Sequence, residues 1–262
     1  MSALSLATTG VARRAGAVDA IVSSLPVSLT FGRGFVDLIA VDGAPGWNDE
    51  VLRARDAGAR GVLVVGPVAP ESRGLSNVGL PVVLDRSFAG NPGLDNVTAE
   101  LTGFDARALL EVRVVVPTGA DLQETLLDQL ALVRAVDSAV DSAALVLRST
   151  HGYTVRGRLD SGRAVLLTAT VTDALPRSAS LRAVGSDSII DALIPSPAAA
   201  RPLRMTVTTA SGETLLPTRF ETSHRHDWRR LIDLVNSERS SSDLEDFERD
   251  IGIVASLTPL HH

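Results

Sequence analysis

The stretch Val36-Asp37-Leu38-Ile39-Ala40-Val41 is a nearly continuous apolar run, which is typical of a buried strand in a parallel sheet. A helix pattern follows it: Asn48-Asp49-Glu50 supply cap-type and acidic residues for the first turn, and Gly58 ends the pattern. Residues 61–65 form a second buried strand. A strand, a helix and another strand in this order predict parallel strands that are joined by a right-handed crossover.

The same alternation extends in both directions from this stretch. Towards the N-terminus, residues 3–8 read as a strand, residues 11–25 as a helix that Pro26 ends, and residues 27–31 as a second strand. Towards the C-terminus, residues 80–84 form a further strand. We therefore expect residues 1–104 to form one parallel α/β domain.

The pattern changes after residue 105. A strand at 110–116 and an amphipathic helix at 121–136 precede six short strands between residues 143 and 220. The turn Asp160-Ser161-Gly162-Arg163 is typical of a hairpin, and two helices at 226–237 and 243–256 close the chain. Residues 105–262 are therefore expected to form an α+β domain with an open, largely antiparallel sheet.

Composition excludes several classes of function. The net charge of -6 and only nine aromatic residues (six Phe, two Trp, one Tyr) argue against a nucleic-acid partner or an anionic membrane surface. No apolar run reaches the roughly 18 residues that a membrane span needs, and the N-terminus has no signal-peptide pattern, so we expect a cytoplasmic protein. The chain has no cysteine, which excludes disulfides and thiolate chemistry.

The chain also has no lysine, because all 25 of its basic residues are arginine. A Schiff-base lysine and a lysine acid or base are therefore excluded. Arginine cannot replace lysine as a proton donor, since its pKa stays above about 12.

Several stretches together resemble the glucose-fructose oxidoreductase and inositol dehydrogenase family (Gfo/Idh/MocA). Residues 50–58 resemble its "A-x-x-A-G" helix, and residues 61–67 resemble a strand that ends in Glu-Lys-Pro in the family. Leu127-Asp128-Gln129 resembles the start of the helix with the family's Asp-x-x-x-His pair. Residues 181–186 resemble its "l-x-v-x-G-s" strand, and residues 226–232 the helix near its end. The resemblance implies a truncated Rossmann-like domain followed by an open-sheet α+β domain.

The chain departs from that family where the family binds its cofactor. A dinucleotide-binding turn needs Gly-x-Gly-x-x-Gly, and Thr8-Thr9-Gly10-Val11-Ala12-Arg13 keeps only the middle glycine. No acid occurs between Asp19 and Asp37 to bind a ribose, and only 26 residues separate Gly10 from Val36. One crossover helix is missing from that interval. We therefore expect no bound cofactor, neither NAD nor NADP.

The family's proton-transfer positions are also changed. The resemblance places Gly66 at the lysine position and Leu132 at the histidine position, and only Asp128 matches. Asp128 is thus the single candidate catalytic residue, and we expect its side chain to be exposed or to cap a helix.

These departures favour a homologue without dehydrogenase activity that acts as a binding or assembly component. Two alternatives stay open: an active NAD(P)-dependent oxidoreductase on a sugar or polyol with atypical cofactor binding, and a structural subunit that pairs with a complete family member. We expect a homo-oligomer through the sheet at 143–220, because the outward face of residues 164–171 is apolar. A small sugar-like ligand is possible on the same resemblance.

Other polar groups carry weaker hypotheses. His224-x-His226-Asp227, with Glu221 upstream, has the composition of a metal cluster but lies at a helix start, so we expect no metal site. His151 lies in a turn, where it could contact a ligand or be an ordinary polar residue. Arg156 and Arg158 share one face of a strand, which favours an interface. No function is assigned to His261 and His262.

Overall fold

The computed structural model describes residues 3–70, 78–199 and 201–257. Its strands are β1 Leu4–Thr8, β2 Leu29–Phe31, β3 Leu38–Asp42, β4 Gly61–Val65, β5 Val82–Asp85, β6 Leu109–Val116, β7 Val140–Ser149, β8 Gly152–Leu159, β9 Ala164–Val171, β10 Ser178–Val184, β11 Ser188–Pro195, β12 Arg204–Thr209 and β13 Gly212–Leu215. Its helices are α1 Gly10–Ala15, α2 Val18–Ser24, α3 Trp47–Asp56, α4 Leu94–Leu101, α5 Leu122–Val136, α6 Ser223–Asn236 and α7 Asp243–Ser256.

Contacts divide the chain into two units. The first contains Met1–Arg86 and Ser223–Glu248, and the second contains Ser87–Thr222 and Arg249–His262. We expected a single boundary between residues 104 and 105. The chain instead returns to the first unit because α6 covers the parallel sheet, where Trp228 and Leu231 are fully buried among the strand residues of the core.

The first unit is the expected parallel sheet. Its five strands lie in the order β2-β1-β3-β4-β5, and every neighbouring pair is parallel. All residues of β4 and β5 are buried, which explains their uninterrupted apolar sequences. β5 is an edge strand, and the carboxylate of Asp243 accepts one of its backbone donors, the N–H of Leu84, at 2.9 Å.

The helix predicted for residues 11–25 is divided into α1 and α2. The break lies at Gly16 and Ala17, where Ala17 adopts a left-handed conformation with φ of 50°. A Cβ on Gly16 would lie 3.0 Å from a methyl group of Val65, so this glycine lets the helix approach the sheet closely. Ala12 is fully buried beside it. Arg13, which stands where the dinucleotide-binding pattern has its third glycine, does not obstruct helix–strand packing, since its side chain is exposed and other residues face the sheet.

The connection from β2 to β3 has no helix. Residues 32–37 cross from one side of β1 to the other, and the backbone N–H groups of Gly32 and Asp37 bond to the carbonyls of Leu6 and Ser5 at 3.0 Å each. A Cβ on Gly32 would lie 2.6 Å from Val36 and 3.0 Å from Ser5, so only glycine fits this crossing. The short interval between Gly10 and Val36 thus contains one strand, β2, after the helices α1 and α2.

The second unit is an α+β structure around an eight-stranded sheet. The strand order is β13-β12-β11-β10-β6-β9-β8-β7, in which only β6 and β9 pair in parallel. α5 packs on one face of this sheet through buried residues such as Leu127 and Leu130. The fold class is therefore as predicted. None of the helices in the described ranges is long and apolar enough to cross a membrane.

Candidate functional site

The carboxyl edge of the parallel sheet is the first candidate site. β1 lies between β2 and β3, so the chain leaves β1 in one direction and later continues in the other. Ligands of open α/β sheets bind outside the carboxyl ends of the strands at such a switch point. Gly43 follows β3 there, and a Cβ on it would lie 2.5 Å from the backbone of Gly66 after β4. The turns after β3 and β4 are therefore in direct contact.

The turn after β1 is open to a ligand. Thr9 caps α1 by accepting a 3.3 Å hydrogen bond from the N–H of Ala12. A Cβ on Gly10 would meet only Nη1 of Arg14, at 3.8 Å. The side chain of Arg13 is turned away from this glycine, because its Nε bonds to Asp19 at 2.9 Å and its guanidinium lies over the Phe31 ring. A phosphate group can thus approach Gly10 without meeting a side chain in the turn.

Two exposed arginines follow the ends of β1 and β2. Arg14 and Arg33 are exposed, and neither guanidinium has a partner within residues 3–70, 78–199 and 201–257. Asp19 pairs with Arg13, and Asp37, which precedes β3 at the opposite edge of the sheet, accepts bonds from the backbone and hydroxyl of Ser5. Although burial raises the pKa of Asp37, the bonds from Ser5 and from Arg60 lower it below the ordinary value. The carboxyl edge at β1, β2 and β3 therefore carries Arg14 and Arg33 together with the carboxylate of Asp42 at the end of β3.

The lysine and histidine positions of the resemblance contain no proton carrier. Gly66 has a φ of 60°, and a Cβ on it would meet nothing within 4 Å. Leu132 is fully buried.

Asp128 belongs to a different environment from the one predicted. It is 7% exposed, and Oδ2 accepts a 2.9 Å bond from Nη2 of Arg177. Arg177 also donates to Ser87 Oγ at 3.0 Å. The expectation of an exposed or capping carboxylate is wrong because Asp121 is the cap of α5, with bonds from Gln123 and Glu124 N–H, and Asp128 lies on the buried side two turns later.

A small polar network adjoins Asp128 inside the second unit. Gln129 donates to the carbonyls of Val112 and Thr168 at 2.9 Å each, and its amide oxygen accepts from the Tyr153 hydroxyl. Burial raises the pKa of Tyr153 well above 10, and the charge of Asp128 raises it further. Arg177 also lines a cavity of about 370 Å³ beside residues 116–121.

Sequence reasoning missed one charged cluster in the first unit. Nδ1 of His224, at the start of α6, lies 2.5 Å from Oδ2 of Asp85, the last residue of β5. Asp227, one turn further along α6, is also buried. These residues are 139 positions apart in the sequence, so only the fold brings them together.

The remaining polar candidates do not converge. The described residues contain no group of three or more His, Cys, Asp or Glu side chains arranged to hold a metal ion. His151 is an exposed turn residue, and Arg156 and Arg158 are both exposed on β8. His261 and His262 lie outside the described residues.

Comparison with known proteins connects this geometry to a class of fold. No model of a known protein family matches the chain, and no curated protein matches it. A variant of KijD10, a 3-ketoreductase from Actinomadura kijaniata in complex with TDP-benzene and NADP, matches with a TM-score of 0.67 and 15% identity, over 98% of this chain and 97% of that one.

Two further solved structures are similar. An oxidoreductase from Agrobacterium radiobacter in complex with NAD+, L-tartaric acid and magnesium has a TM-score of 0.64 and 13% identity, over 98% of this chain and 95% of that one. A D-galactose-1-dehydrogenase from Rhizobium etli has a TM-score of 0.66 and 13% identity, over 100% and 99% of the two chains.

These structures correct one expectation. The prediction that this chain binds no cofactor is wrong for its fold, because solved structures of similar fold hold NADP or NAD+. The missing glycines misled the sequence argument: Ala12 and Gly16 provide the close approach of α1 to the sheet, and Gly10 keeps the turn open. The chain has the fold of Gfo/Idh/MocA-type NAD(P)-dependent oxidoreductases, with a parallel Rossmann-like sheet and a mixed, mostly antiparallel one.

Proposed function

We propose that this chain is an oxidoreductase that binds NADP(H) at the carboxyl edge of its parallel sheet and acts on a sugar-like alcohol or carbonyl. The observation that carries this proposal is the open turn at Gly10, together with Arg14 and Arg33, whose guanidinium groups have no partner among the described residues. Two phosphates of the pyrophosphate and one on the adenosine ribose are the anions that such a site would bind. The sugar class rests on the galactose dehydrogenase of similar fold.

Arg33 supports NADP(H) over NAD(H). Enzymes of this fold class that bind NAD place an acid after the second strand to bond the ribose 2′-hydroxyl, whereas an arginine nearby accommodates a 2′-phosphate. Here Arg33 follows β2 by two residues, and no acid is available at that end. The cofactor, when bound, supplies hydride chemistry, and this chain's residues supply the binding and the proton.

Calorimetric titration of NADPH and NADH tests this proposal. Replacing Arg33 with Ala removes a charge-assisted bond, worth about 1.5–3 kcal/mol, so NADPH affinity should fall about tenfold or more while NADH affinity stays the same. Arg107→Ala is the matched control, since Arg107 is also exposed but lies in the second unit. Equal affinities for NADPH and NADH in the wild type would contradict the choice of cofactor, and no binding of either would contradict the function.

A second candidate function is a binding or assembly component without dehydrogenase activity, derived from a shortened and degenerate member of the family. Gly66 and Leu132 favour it, because neither can carry a proton. The helix-free connection at 32–37 favours the loss of one βα unit. Cofactor binding without turnover of D-galactose or UDP-N-acetylglucosamine would support this candidate over the first.

We also propose self-association through the open face of the eight-stranded sheet. The original argument from an apolar face needs revision, because Val165, Leu167 and Ala169 are buried and the outward residues of β9 alternate with them. One row across the outward face instead alternates in charge: Glu111 pairs in register with Arg182, and Arg182 with Asp191. A two-fold axis along the strands between β6 and β10 would set Glu111 of each copy opposite Arg182 of the other.

Light scattering tests this assembly. We expect a mass of twice 27.5 kDa, weakened by either Glu111→Arg or Arg182→Glu and restored by the double exchange. Asp141→Arg, on an exposed residue of the edge strand β7, is the charge-matched control. A monomer at micromolar concentration would contradict self-association and leave a complete family member as the alternative partner.

A further inference from the structure

The first turn of α6 lies at the carboxyl edge of the parallel sheet. α6 runs antiparallel to the strands, because Leu231 and Val235 near its end pack against Gly61, the first residue of β4, while His224 at its start contacts Asp85, the last residue of β5. A Cβ on Gly61 would lie 2.7 Å from Val235, so this glycine lets the helix approach closely. The histidine is thereby fixed on the side of the sheet where the candidate cofactor site lies.

The pair His224–Asp85 has an oriented imidazole. The Asp85 side chain is fully buried, and its Oδ2 lies 2.5 Å from Nδ1 of His224. The His224 side chain keeps 13% exposure, and Nε2 is neither bonded to a described residue nor among the buried atoms that lack a partner. Nε2 is therefore the ring nitrogen that reaches solvent. A carboxylate that holds one ring nitrogen and leaves the other open gives a histidine a defined tautomer for proton exchange.

A second carboxyl group keeps the charge of this pair balanced. Asp227 is fully buried, and its Oδ2, Asp85 Oδ1 and Ser223 Oγ have no partner among the described residues. Burial raises the pKa of Asp227 well above its ordinary value, and the charge of Asp85 raises it further, while Arg230 opposes both. Arg230 is itself bonded to Asp243. A neutral Asp227 can donate its O–H to Asp85, and it adds no second negative charge beside His224.

The pKa of the His224 imidazole lies above its ordinary value. Burial alone lowers the pKa of the imidazole, but the hydrogen bond to Asp85 and the charge of Asp85 outweigh burial and raise it above about 6.5. Asp85 from β5 is the charged group that acts on the ring directly, and Asp85 in turn acts on Asp227 of α6, which also interacts with Arg230 of α6 and Asp243 of α7.

We propose that His224, positioned by Asp85, is the acid–base group that exchanges a proton with the substrate oxygen at this edge. The inference rests on the proposed function. The adenosine half of a dinucleotide lies towards the end of the second strand, so the reacting half lies on the β3–β5 side. β5 is three strand spacings, about 14 Å, from β1, the strand whose turn forms the candidate cofactor site.

The proton and the hydride are both accounted for in this step. In alcohol oxidation, Nε2 of the neutral ring takes the hydroxyl proton while the carbon loses a hydride to the oxidised nicotinamide, and a C=O bond forms. The imidazolium then releases its proton to solvent through the same nitrogen. In the reverse direction, the imidazolium gives its proton to the carbonyl oxygen as the carbon accepts a hydride from reduced nicotinamide.

The first experiment is an NMR titration of the imidazole groups, which needs neither cofactor nor turnover. His224→Gln identifies the resonance, and His151→Gln is the matched control for an exposed turn histidine. We expect a raised pKa for His224 that falls in Asp85→Asn, with the Nδ1–H tautomer in the neutral ring. A His224 that titrates like His151 would overturn the positioning role of Asp85.

The second experiment measures the oxidation of D-galactose and UDP-N-acetylglucosamine with NADP+. His224→Gln should lower kcat about 100-fold or more, the usual range for a lost acid or base, and leave the Kd for NADP+ within about twofold. The wild-type rate should rise as the pH increases past the pKa of His224. Asp85→Asn should lower this pKa and shift the pH–rate profile to lower pH with it. Circular dichroism verifies that each variant folds. If Asp85→Asn does not fold, the rate of His224→Gln and the pH–rate profile of the wild type decide whether His224 is the acid–base group.

The outcomes separate the two proposals. Two results would overturn the acid–base role and leave cofactor binding intact. One is NADP+ binding with an unchanged rate in His224→Gln, and the other is NADP+ binding by a wild-type protein that shows no turnover. Absence of NADP+ binding in a folded wild-type protein would overturn the proposed function, and the redox role of His224 with it, while the titration of His224 would be unaffected.

Discussion

Replacing Asp128 with Asn should destabilise the protein, although sequence reasoning predicted almost no effect. The Asp128 side chain is 10% exposed and Arg177 is 42% exposed, with 2.9 Å between Oδ2 and Nη2. Breaking a fully buried pair costs about 3–5 kcal/mol, but Arg177 can return its charge to water, which lowers the cost. A hydrogen bond to a charged group contributes about 1.5–3 kcal/mol, so we expect a loss of about 2 kcal/mol in the free energy of unfolding.

Urea unfolding measures this loss. It should be followed by circular dichroism, because both tryptophans, Trp47 and Trp228, belong to the first unit and Asp128 to the second. Asp141→Asn is the matched control, since Asp141 is exposed and its change should stay within about 0.5 kcal/mol. A double-mutant cycle with Arg177→Met should give a coupling above about 0.5 kcal/mol. A loss as small as that of the control, or zero coupling, would refute the reasoning.

Three other measurements test the structure. Arg163→Met should cost about 3–5 kcal/mol in urea unfolding, because it leaves Asp137 buried without its 2.6 Å partner; a value near 1 would mean that the pair is solvated. Tyr153, the only tyrosine, should titrate by ultraviolet absorbance well above pH 10, and at lower pH in Asp128→Asn. The free energy of unfolding should fall as pH rises from about 6.5 through the raised pKa of His224, since the folded state binds the proton more tightly than the unfolded state, and a flat profile would contradict this linkage.

The architecture could be predicted because local patterns determine it. The apolar run of β4 and the alternation of β9 are each visible within a few residues. The break between α1 and α2 could not be predicted, because the left-handed Ala17 has no local sequence signal and Gly16 meets Val65, which is distant in the sequence. β11 was missed for a different reason: its outward residues Asp191 and Leu193 differ in polarity, so its alternation is blurred.

The site was less predictable because its contacts join distant residues. Asp128 is 49 positions from Arg177, and His224 is 139 positions from Asp85. The motif His224-x-His226-Asp227 was noticed, but local spacing suggested only a metal cluster or a helix start. An acidic residue that ends a buried strand, as Asp85 does, is the signal that could have led to its partner, because such a carboxylate needs a cation or a donor.

The composition of the chain and the position of His224 are connected. Without lysine or cysteine, and with its one tyrosine buried, the chain can exchange protons near neutral pH only through histidines, shifted carboxyl groups or its amino terminus. The arginines keep their charge, so they can bind phosphates but cannot transfer protons. The carboxyl edge therefore divides its tasks: Arg14 and Arg33 present permanent charge near β1 and β2, and His224 presents a titrating group at β5. Turnover should consequently not depend on a lysine at the position of Gly66, and His224→Gln should lower the rate about 100-fold or more.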